Sequence, residues 1–282
     1  MAGESAKHNS AAVEEAPRFY NRERGCVEYE KVLGDKWLRR AYCSPIRGLL
    51  RWPLFGCSLL SRLMGCYLDS AASRKRIAPT VAELGINMDE AIVPEGGYAS
   101  FNDFFCRALK PGARPLPAER DKLISPADCR LTVYPEISGD TVIPVKGAHY
   151  SVRELLGKPG NAYADAFRGG SLMVCRLCPA DYHRFHFPDN GRIRDSWLLA
   201  GKYHSVNPLA LHLGYQVFTA NKRHVSMLEL EQGGLCAFIP VGAFGVSGIH
   251  LRQPEQGAFS RGDTAGHFTF GGSTVIVVFT PG

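Results

Sequence analysis

A run of β-branched and aromatic residues at positions 275–279 constrains this chain more than any other feature. The run Val275-Ile276-Val277-Val278-Phe279 has the length and composition of a buried strand. It follows Phe270-Gly271-Gly272-Ser273-Thr274, where two glycines and two hydroxyl residues stand at the start of the strand. A Gly-Gly-Ser segment before a strand is most often a simple turn. Residues elsewhere in the chain must therefore decide whether the serine is chemically active.

The serine at this position has a specific chemical option. Glycine permits backbone conformations that are closed to other residues, so a neighbouring side chain can reach its carbonyl group. Attack of the Ser273 Oγ on the Gly272 carbonyl carbon would convert the amide into an ester. β-Elimination of that ester and hydrolysis of the resulting dehydroalanine would leave a pyruvoyl group at a new amino terminus. This hypothesis predicts cleavage between Gly272 and Ser273.

Two other places in the sequence provide the groups that would activate a serine. The proline-bounded turn Ser125-Pro126-Ala127-Asp128 offers a carboxylate, and His183 and His186 follow the apolar run that ends at Cys178. Functional residues gather at such strand exits. A serine, a histidine base and an orienting carboxylate form a nucleophile triad. Each also has a simpler interpretation as a turn or loop residue, and the sequence alone does not show that they meet.

The composition narrows the function classes. The chain has 282 residues, enough for one large domain or a domain with an extension. Its nine cysteines show no framework spacing, which indicates a reduced, cytosol-facing protein. Cys175 and Cys178 form a single CxxC inside an apolar run, so we predict buried strand cysteines and no metal site. Phosphate-cradling glycine motifs are absent from the sequence, so neither nucleotide chemistry nor a nucleic-acid partner is predicted.

The chain divides into three regions by composition. Residues 1–17 are small, polar and acidic, which predicts a disordered start without a secretory signal. Residues 18–99 are predicted to be helical and basic: within 38–77, eight cationic side chains accompany one anionic side chain and many Leu, Phe and Trp residues. This mixture suits a helix that lies in a membrane interface, and the longest uncharged stretch is too short to span a bilayer. The alternative is a helical pair that packs on the protein's own core with a solvated basic face.

Residues 100–282 alternate short apolar runs with Gly, Pro, Asn and Asp clusters, which predicts an antiparallel β-rich domain, a sandwich or partly closed barrel. We therefore predict an α+β protein. Capping boxes predict two short helices, one from Ser100 into Leu109 and one from Ser151 to Gly157. The predicted strands are Thr132–Tyr134, Thr141–Val145, Ser171–Leu177, Leu235–Val241 and Val275–Phe279.

With these motifs in view, the chain resembles the phosphatidylserine decarboxylases of the compact bacterial kind. The similarity extends in family order over nearly everything beyond residue 18. The matching segments are Tyr20-Asn21-Arg22, Glu30-Lys31-Val32, Ser100-Phe101-Asn102-Asp103-Phe104-Phe105, Leu109-Lys110-Pro111-Gly112-Ala113-Arg114-Pro115, Ser125-Pro126-Ala127-Asp128, Lys146-Gly147, Tyr182-His183-Arg184-Phe185-His186-Phe187-Pro188, Ser205-Val206-Asn207-Pro208, Asn221-Lys222-Arg223 and Phe270-Gly271-Gly272-Ser273-Thr274.

The resemblance implies a self-processing proenzyme that converts phosphatidylserine to phosphatidylethanolamine and carbon dioxide. It implies that Asp128, His186 and Ser273 form the processing triad and that His183 serves in decarboxylation. Ser273 would become the pyruvoyl cofactor, which forms a Schiff base with the substrate amine. The products of cleavage would be a 1–272 chain and a 273–282 chain that remain together as a heterodimer. One departure from the family pattern is Cys129, which stands where a glycine usually follows the triad aspartate.

The resemblance also predicts where the protein lies and leaves alternatives open. A lipid substrate and the basic 38–77 segment predict peripheral attachment to the cytoplasmic side of the cell membrane, with an anionic surface as partner. The alternatives are a pyruvoyl-dependent decarboxylase of a free aromatic amino acid and a non-processing homologue that binds lipid. Candidate contacts to the lipid headgroup are His267, Arg107 and Lys110, although the sequence does not show that they lie near Ser273. A homodimer is also left open.

Overall fold

A computed structural model describes residues 18–22, 24–30, 58–137, 143–145, 148–204, 216–243, 248–252, 257–271 and 273–282. The predicted disorder of residues 1–17, the first half of the basic segment and the cleavage-site residue Gly272 lie outside the described residues. The matching segments Lys146-Gly147 and Ser205-Val206-Asn207-Pro208 also lie outside them.

Strand β14, Ser273–Phe279, is an interior strand of the largest sheet among the described residues. This sheet has seven antiparallel strands in the order β12-β8-β9-β10-β14-β6-β3. Its other strands are β3 (Arg130–Tyr134), β6 (Ser171–Leu177), β8 (Gly191–Leu199), β9 (Arg223–Leu230), β10 (Gly234–Val241) and β12 (Ala258–Phe259). Since β14 pairs with both β10 and β6, its backbone groups are bonded on either side. The prediction of a buried strand at 275–279 is confirmed.

The side chains of β14 fill the core on both faces of this sheet. Ile276 and Val278 belong to one apolar cluster, whereas Val275, Val277 and Phe279 belong to a second. This alternation follows from the two-residue period of a strand. A strand that is apolar on both faces has no solvent-facing side, which explains its unbroken run of apolar residues.

Different elements cover the two faces. Helices α4 (Val152–Leu156) and α5 (Val217–Ala220) contribute Leu155, Leu156 and Phe218 to the first cluster. A three-stranded sheet in the order β11-β13-β7 contributes Phe185 and Phe268 to the second cluster. Its strands are β7 (Arg184–His186), β11 (Ile249–Leu251) and β13 (Thr264–Phe268), while β4 (Ile143–Val145) and β5 (Ala148–Tyr150) form a separate hairpin.

The N-terminal elements form a third cluster. Helix α1 spans Ser58–Asp69, a 3-10 helix spans Ala71–Arg76, and helix α2 spans Ile77–Leu84. Leu68 and Ile86 pack there with Phe101, Phe104 and Phe105 of helix α3, Phe101–Phe105. Two further 3-10 helices lie at Lys158–Gly160 and Ala164–Phe167. The predicted division of the chain near residue 100 stays a prediction.

Both predicted capping boxes begin helices, although one helix is shorter than predicted. Asp103 N donates to Ser100 Oγ at 3.1 Å, and α4 has a complete box between Ser151 and Glu154. The prediction that α3 continues to Leu109 is wrong, because the helix ends at Phe105. Beyond it, the extended chain bonds to residues 90–92: Lys110 N donates to Glu90 O, and Ile92 N donates to Ala108 O. This pairing competes with further helical turns.

A hairpin near the amino terminus attaches to the large sheet through a buried ion pair. Its strands are β1 (Arg18–Asn21) and β2 (Cys26–Tyr29). Immediately after β2, the carboxylate of Glu30 accepts two hydrogen bonds from Arg176, one on each oxygen, and a third from Cys178 Sγ. The Arg130 guanidinium lies 3.8 Å from the centre of the Phe19 ring. These contacts join the hairpin to β3 and β6.

The fold class is mixed α and β, mostly β, as predicted, and the described strands do not close into a barrel. Across the described ranges, none of the helices combines the length and apolarity needed to cross a bilayer.

The buried pair between Glu30 and Arg176 generates the first prediction. Glu30→Gln should lower the free energy of unfolding by about 3 kcal/mol, because it leaves a buried guanidinium without its counter-charge. Denaturant unfolding at neutral pH measures this change. Glu119→Gln is the control, since Glu119 pairs with Lys122 on the exposed surface and its loss should have no measurable effect. Equal stability of the wild type and Glu30→Gln would show that the pair does not hold the hairpin.

Candidate active site

Ser273 is the first residue of β14 and is fully buried. It lies opposite Leu177, the last residue of β6, so the end of one strand faces the start of the other. Gly271, two positions earlier, has φ +142°, a backbone conformation that favours glycine. The Ser273 hydroxyl is therefore buried at the start of a strand, shortly after a backbone conformation that favours glycine.

The imidazole of His183 contacts this hydroxyl. His183 Nδ1 lies 3.0 Å from Ser273 Oγ, and His183 Nε2 lies 2.9 Å from the carbonyl oxygen of Cys178. A carbonyl oxygen only accepts hydrogen bonds, so Nε2 bears the proton. Nδ1 is then the acceptor for the Ser273 hydroxyl. A backbone carbonyl thus fixes the tautomer, a function that a carboxylate performs in the usual triad.

Burial strongly affects the ionisation of His183. The side chain is fully enclosed, which lowers its pKa to about 3 because a charged ring would lose its hydration. The bond to the Cys178 carbonyl opposes this effect, and the nearby charge of Arg107 adds to it. The ring is therefore neutral at physiological pH and orients the serine hydroxyl without a charge of its own.

Helix α3 forms one wall of the site. The Phe105 ring stacks on His183 with ring centres 3.8 Å apart, and Phe270 lies against both Phe101 and Phe105. Asn102 Oδ1 accepts from Phe270 N at 2.8 Å, while its amide nitrogen donates to Asp69 at 2.7 Å. The segment just before Ser273 is therefore positioned by α3. The capping box predicts this helix from the sequence but not its position beside His183 and Phe270.

Asp128 and His186 lie elsewhere in the contact network. The Asp128 carboxylate accepts from Nε and Nη2 of Arg114, at 2.7–3.0 Å. His186 Nδ1 lies 2.9 Å from the carbonyl oxygen of Gly262. Burial lowers the pKa of His186, whereas the Gly262 carbonyl and the Asp128 charge both raise it. Within the described part of the chain, the Ser273 hydroxyl is hydrogen-bonded to His183, and no hydrogen bond joins it to His186 or Asp128.

The loop between β6 and His183 contains a largely enclosed acid, Asp181, that sequence reasoning missed. Asp181 Oδ2 accepts from Cys178 N at 2.7 Å, and Oδ1 lies 3.5 Å from Arg130 Nη1. Burial raises the pKa of Asp181 to about 6. This carboxylate holds the same Cys178 peptide region that fixes the His183 tautomer. The signal for Asp181 in the sequence is its position directly before Tyr182 and His183.

Other candidates occupy distinct places. His267 stacks on His250 with ring centres 4.8 Å apart, and Arg107 is buried beside Phe104. Over the described ranges, no group of three His, Cys, Asp or Glu side chains is arranged to hold a metal ion. Cys175 and Cys178 are buried, as their apolar run predicted.

Comparison with known proteins gives one consistent family. The model of the phosphatidylserine decarboxylase family matches residues 101–282. Three similar curated proteins are named phosphatidylserine decarboxylase proenzyme. The relative from Clostridium botulinum (strain 657 / Type Ba4) is 39% identical over 262 residues, which cover 93% of this chain and 88% of the relative. Those from Desulfitobacterium hafniense (strain DSM 10664 / DCB-2) and Clostridium perfringens (strain SM101 / Type A) are 38% and 37% identical over the same share of this chain, covering 87% and 88% of their own lengths.

The matching family model and these relatives define an enzyme of the decarboxylase class, a carboxy-lyase. The chain belongs to the phosphatidylserine decarboxylase family, a family of proenzymes.

The buried, neutral His183 generates the second prediction. Its pKa is lower in the folded protein than the ordinary value near 6.5, so its contribution to stability is present above pH 6.5 and is lost as the pH falls towards about 3. His183→Gln should therefore lose less stability than the wild type between pH 7 and pH 4.5. Urea unfolding at the two pH values measures the difference. An identical loss in both proteins would show that the ring is not held neutral.

Proposed function

We propose that this chain is a self-processing precursor whose mature form decarboxylates phosphatidylserine to phosphatidylethanolamine. The observation that supports it best is the buried contact between Ser273 Oγ and His183, at the position where the family resemblance implies cleavage. Family membership supports the substrate, and the proenzyme names of the relatives support processing. The cofactor in this proposal is a pyruvoyl group derived from Ser273.

The surroundings of residue 273 fit such a group. Ser273 is fully buried and its hydroxyl contacts His183, whose ring is covered by Phe105. A ketone formed at the α carbon of residue 273, with loss of the amino nitrogen as ammonia, would therefore lie in a place protected from water. When formed, the group withdraws electrons from the amine-bearing carbon of the substrate as carbon dioxide leaves. His183 Nδ1 faces residue 273 and accepts a hydrogen bond from the serine hydroxyl in the precursor, so this nitrogen would take up a proton and then pass it to that carbon. Phe105 holds the ring in place for this step.

Cleavage requires a base that removes the Ser273 proton. We assign this step to His186 with Asp128, as the family resemblance implies. Burial lowers the pKa of both histidines, but the Gly262 carbonyl and the Asp128 charge oppose this at His186, whereas burial lowers the pKa of His183 to about 3. This division requires His186 to approach Ser273. The contact of His183 with the serine hydroxyl favours a second division, in which His183 performs both proton transfers.

The two cleavage products would stay together. The 273–282 fragment is β14 with its short tail, and it is paired on both edges by β10 and β6. Its apolar side chains fill both faces of the core. Loss of this fragment would open the sheet, so we propose a stable heterodimer.

Attachment to the cytoplasmic face of the membrane is supported by part of helix α1 and by the residues that follow it. Leu63 and Tyr67 lie one turn apart on α1 and are 59% and 37% exposed. The exposed cations Arg74, Lys75 and Arg76 follow in the 3-10 helix. Exposed apolar residues beside cations suit an anionic lipid surface.

The third prediction tests the substrate. Purified protein should convert phosphatidylserine dispersions into phosphatidylethanolamine and carbon dioxide, with no release of carbon dioxide from free phenylalanine, tyrosine or tryptophan. Ser273→Ala is the control and should be inactive, because it cannot form the pyruvoyl group. Turnover of the amino acids without turnover of the lipid would favour the alternative decarboxylase, and lipid binding without either turnover would favour the non-processing homologue.

The fourth prediction separates the two histidines. His186→Ala should remain uncleaved, whereas His183→Ala should cleave and then turn over about two to four orders of magnitude more slowly, as expected for loss of a general acid. Gel electrophoresis measures the cleavage, and product analysis measures the turnover. If His183→Ala stays uncleaved while His186→Ala is processed, the second division is correct.

The fifth prediction tests the membrane surface by vesicle flotation. The wild type should float with phosphatidylserine vesicles, bind neutral vesicles less and be partly released by high salt. Changing Leu63 and Tyr67 together to Ser should weaken flotation, because the exposed apolar side of α1 is lost. The matched control changes Leu131 and Leu198, which are also exposed, to Ser and should float as the wild type does. Equal flotation of both double variants would reject this surface.

A further inference from the structure

Arg107 is a buried cation that the protein does not fully pair. Its side chain is 5% exposed and lies two positions beyond the end of α3. Nη2 donates to the carbonyl oxygens of Ala180 and Asp181, at 3.3 and 3.4 Å. Nε and Nη1 are buried and have no hydrogen-bond partner among the described residues. An unpaired donor on a buried charged group is costly, so its presence needs an explanation.

The nearby carboxylates are bonded to other groups. Asp128 is occupied by Arg114, and Asp181 is bonded to the Cys178 amide and faces Arg130. The Phe104 ring lies under the guanidinium, 5.3 Å away, and supplies no formal charge. Arg107 thus has an incomplete counter-charge in the chain itself.

The position of Arg107 relates it to the reacting residue. Two positions earlier, Phe105 stacks on His183, which contacts Ser273. The two carbonyl groups that Arg107 holds belong to the loop that leads into His183. Its positive charge is also close enough to lower the pKa of His183. Arg107 therefore lies within electrostatic range of His183, the residue that contacts Ser273.

We propose that Arg107 binds the phosphodiester of the phosphatidylserine headgroup, an inference that rests on the proposed function. Guanidinium forks recognise such oxyanions with paired, charge-assisted hydrogen bonds. The phosphodiester is joined to the substrate amine through the serine α and β carbons and one ester oxygen. An amine held at residue 273 therefore places the phosphodiester a short distance away.

The substrate has a second anion, its carboxylate, and the chemistry argues against that partner. Decarboxylation removes the carboxylate charge, so a buried guanidinium bound to it would stabilise the ground state and raise the barrier. The phosphodiester keeps its charge throughout the reaction. Binding it lowers the energy of substrate and transition state equally, which affects KM more than kcat.

The test compares soluble headgroup fragments as competitive inhibitors of the processed enzyme. Glycerophosphoethanolamine has the phosphodiester without the carboxylate, and free serine has the carboxylate without the phosphodiester. In Arg107→Gln, inhibition by glycerophosphoethanolamine should weaken about ten- to a hundredfold, the effect of a lost charge-assisted pair, while inhibition by serine is unchanged. Inhibition of Arg107→Lys by glycerophosphoethanolamine should be intermediate between that of the wild type and that of Arg107→Gln. In both variants, the KM for phosphatidylserine should change more than kcat.

Arg223 provides a matched control. It is equally buried, but its guanidinium donates to the carbonyl oxygens of Glu154, Leu155, Thr219 and Asn221. Arg223→Lys should lower stability and leave both inhibition constants unchanged. If both Arg107 variants fail to fold or process, Arg107 is part of the structure and the proposal is wrong.

The remaining outcomes also decide the question. Weakened inhibition by serine would assign Arg107 to the carboxylate, and unchanged inhibition by both fragments would remove it from the binding site. If inorganic phosphate inhibits the wild type as strongly as glycerophosphoethanolamine does, the site binds anions in general. Each of these three results overturns the proposal. Absence of turnover by the wild type would contradict the proposed function instead. In that case, calorimetric binding of glycerophosphoethanolamine to the wild type and the Arg107 variants would still test whether Arg107 binds the phosphodiester.

Discussion

The site depends on three contacts that fix the position of the His183 imidazole. Its Nδ1 lies against Ser273 Oγ, its Nε2 donates to the Cys178 carbonyl, and its face is covered by Phe105. These three contacts come from β14, from the end of β6 and from α3. The site therefore exists only when the large sheet and the N-terminal helices are assembled, so the chemistry at Ser273 is coupled to folding.

The same coupling fits the position of Ser273, the residue proposed to react, at the start of an interior strand. A serine at a strand entrance is held by the ladder on its carboxyl side, while the glycines before it leave the backbone free to bend. The partners β10 and β6 would hold the new terminus in place after the backbone is cut. After the proposed cleavage, hydrophobic burial and strand pairing would hold the 273–282 segment in place of the covalent link.

Much of the fold could be predicted from local patterns, because local chemistry determines it. The apolar run 275–279, the Ser151–Glu154 box and the run Ser171–Leu177 became a strand, a helix and a strand as predicted. Helix α3 was predicted too long because pairing with residues 90–92 depends on segments distant from the helix motif. Strand order was equally inaccessible, since it depends on pairings far apart in sequence.

The candidate site was predictable as a set of residues and not as an arrangement. Ser273 and His183 were both named, but their contact depends on the Cys178 carbonyl, which has no sequence signature. Asp128 was named for its carboxylate, and its pairing with Arg114 depends on tertiary packing. The unpaired nitrogens of Arg107 are visible only once burial is known.

The central claim is that the backbone is cut before Ser273 and that this residue becomes the new, modified terminus. The intact mass of the purified chain under denaturing conditions tests it most directly. The account predicts a 1–272 chain and a 273–282 chain, the latter lighter by one ammonia than the peptide that simple hydrolysis would give. A single uncleaved chain in a preparation that converts phosphatidylserine would contradict the account.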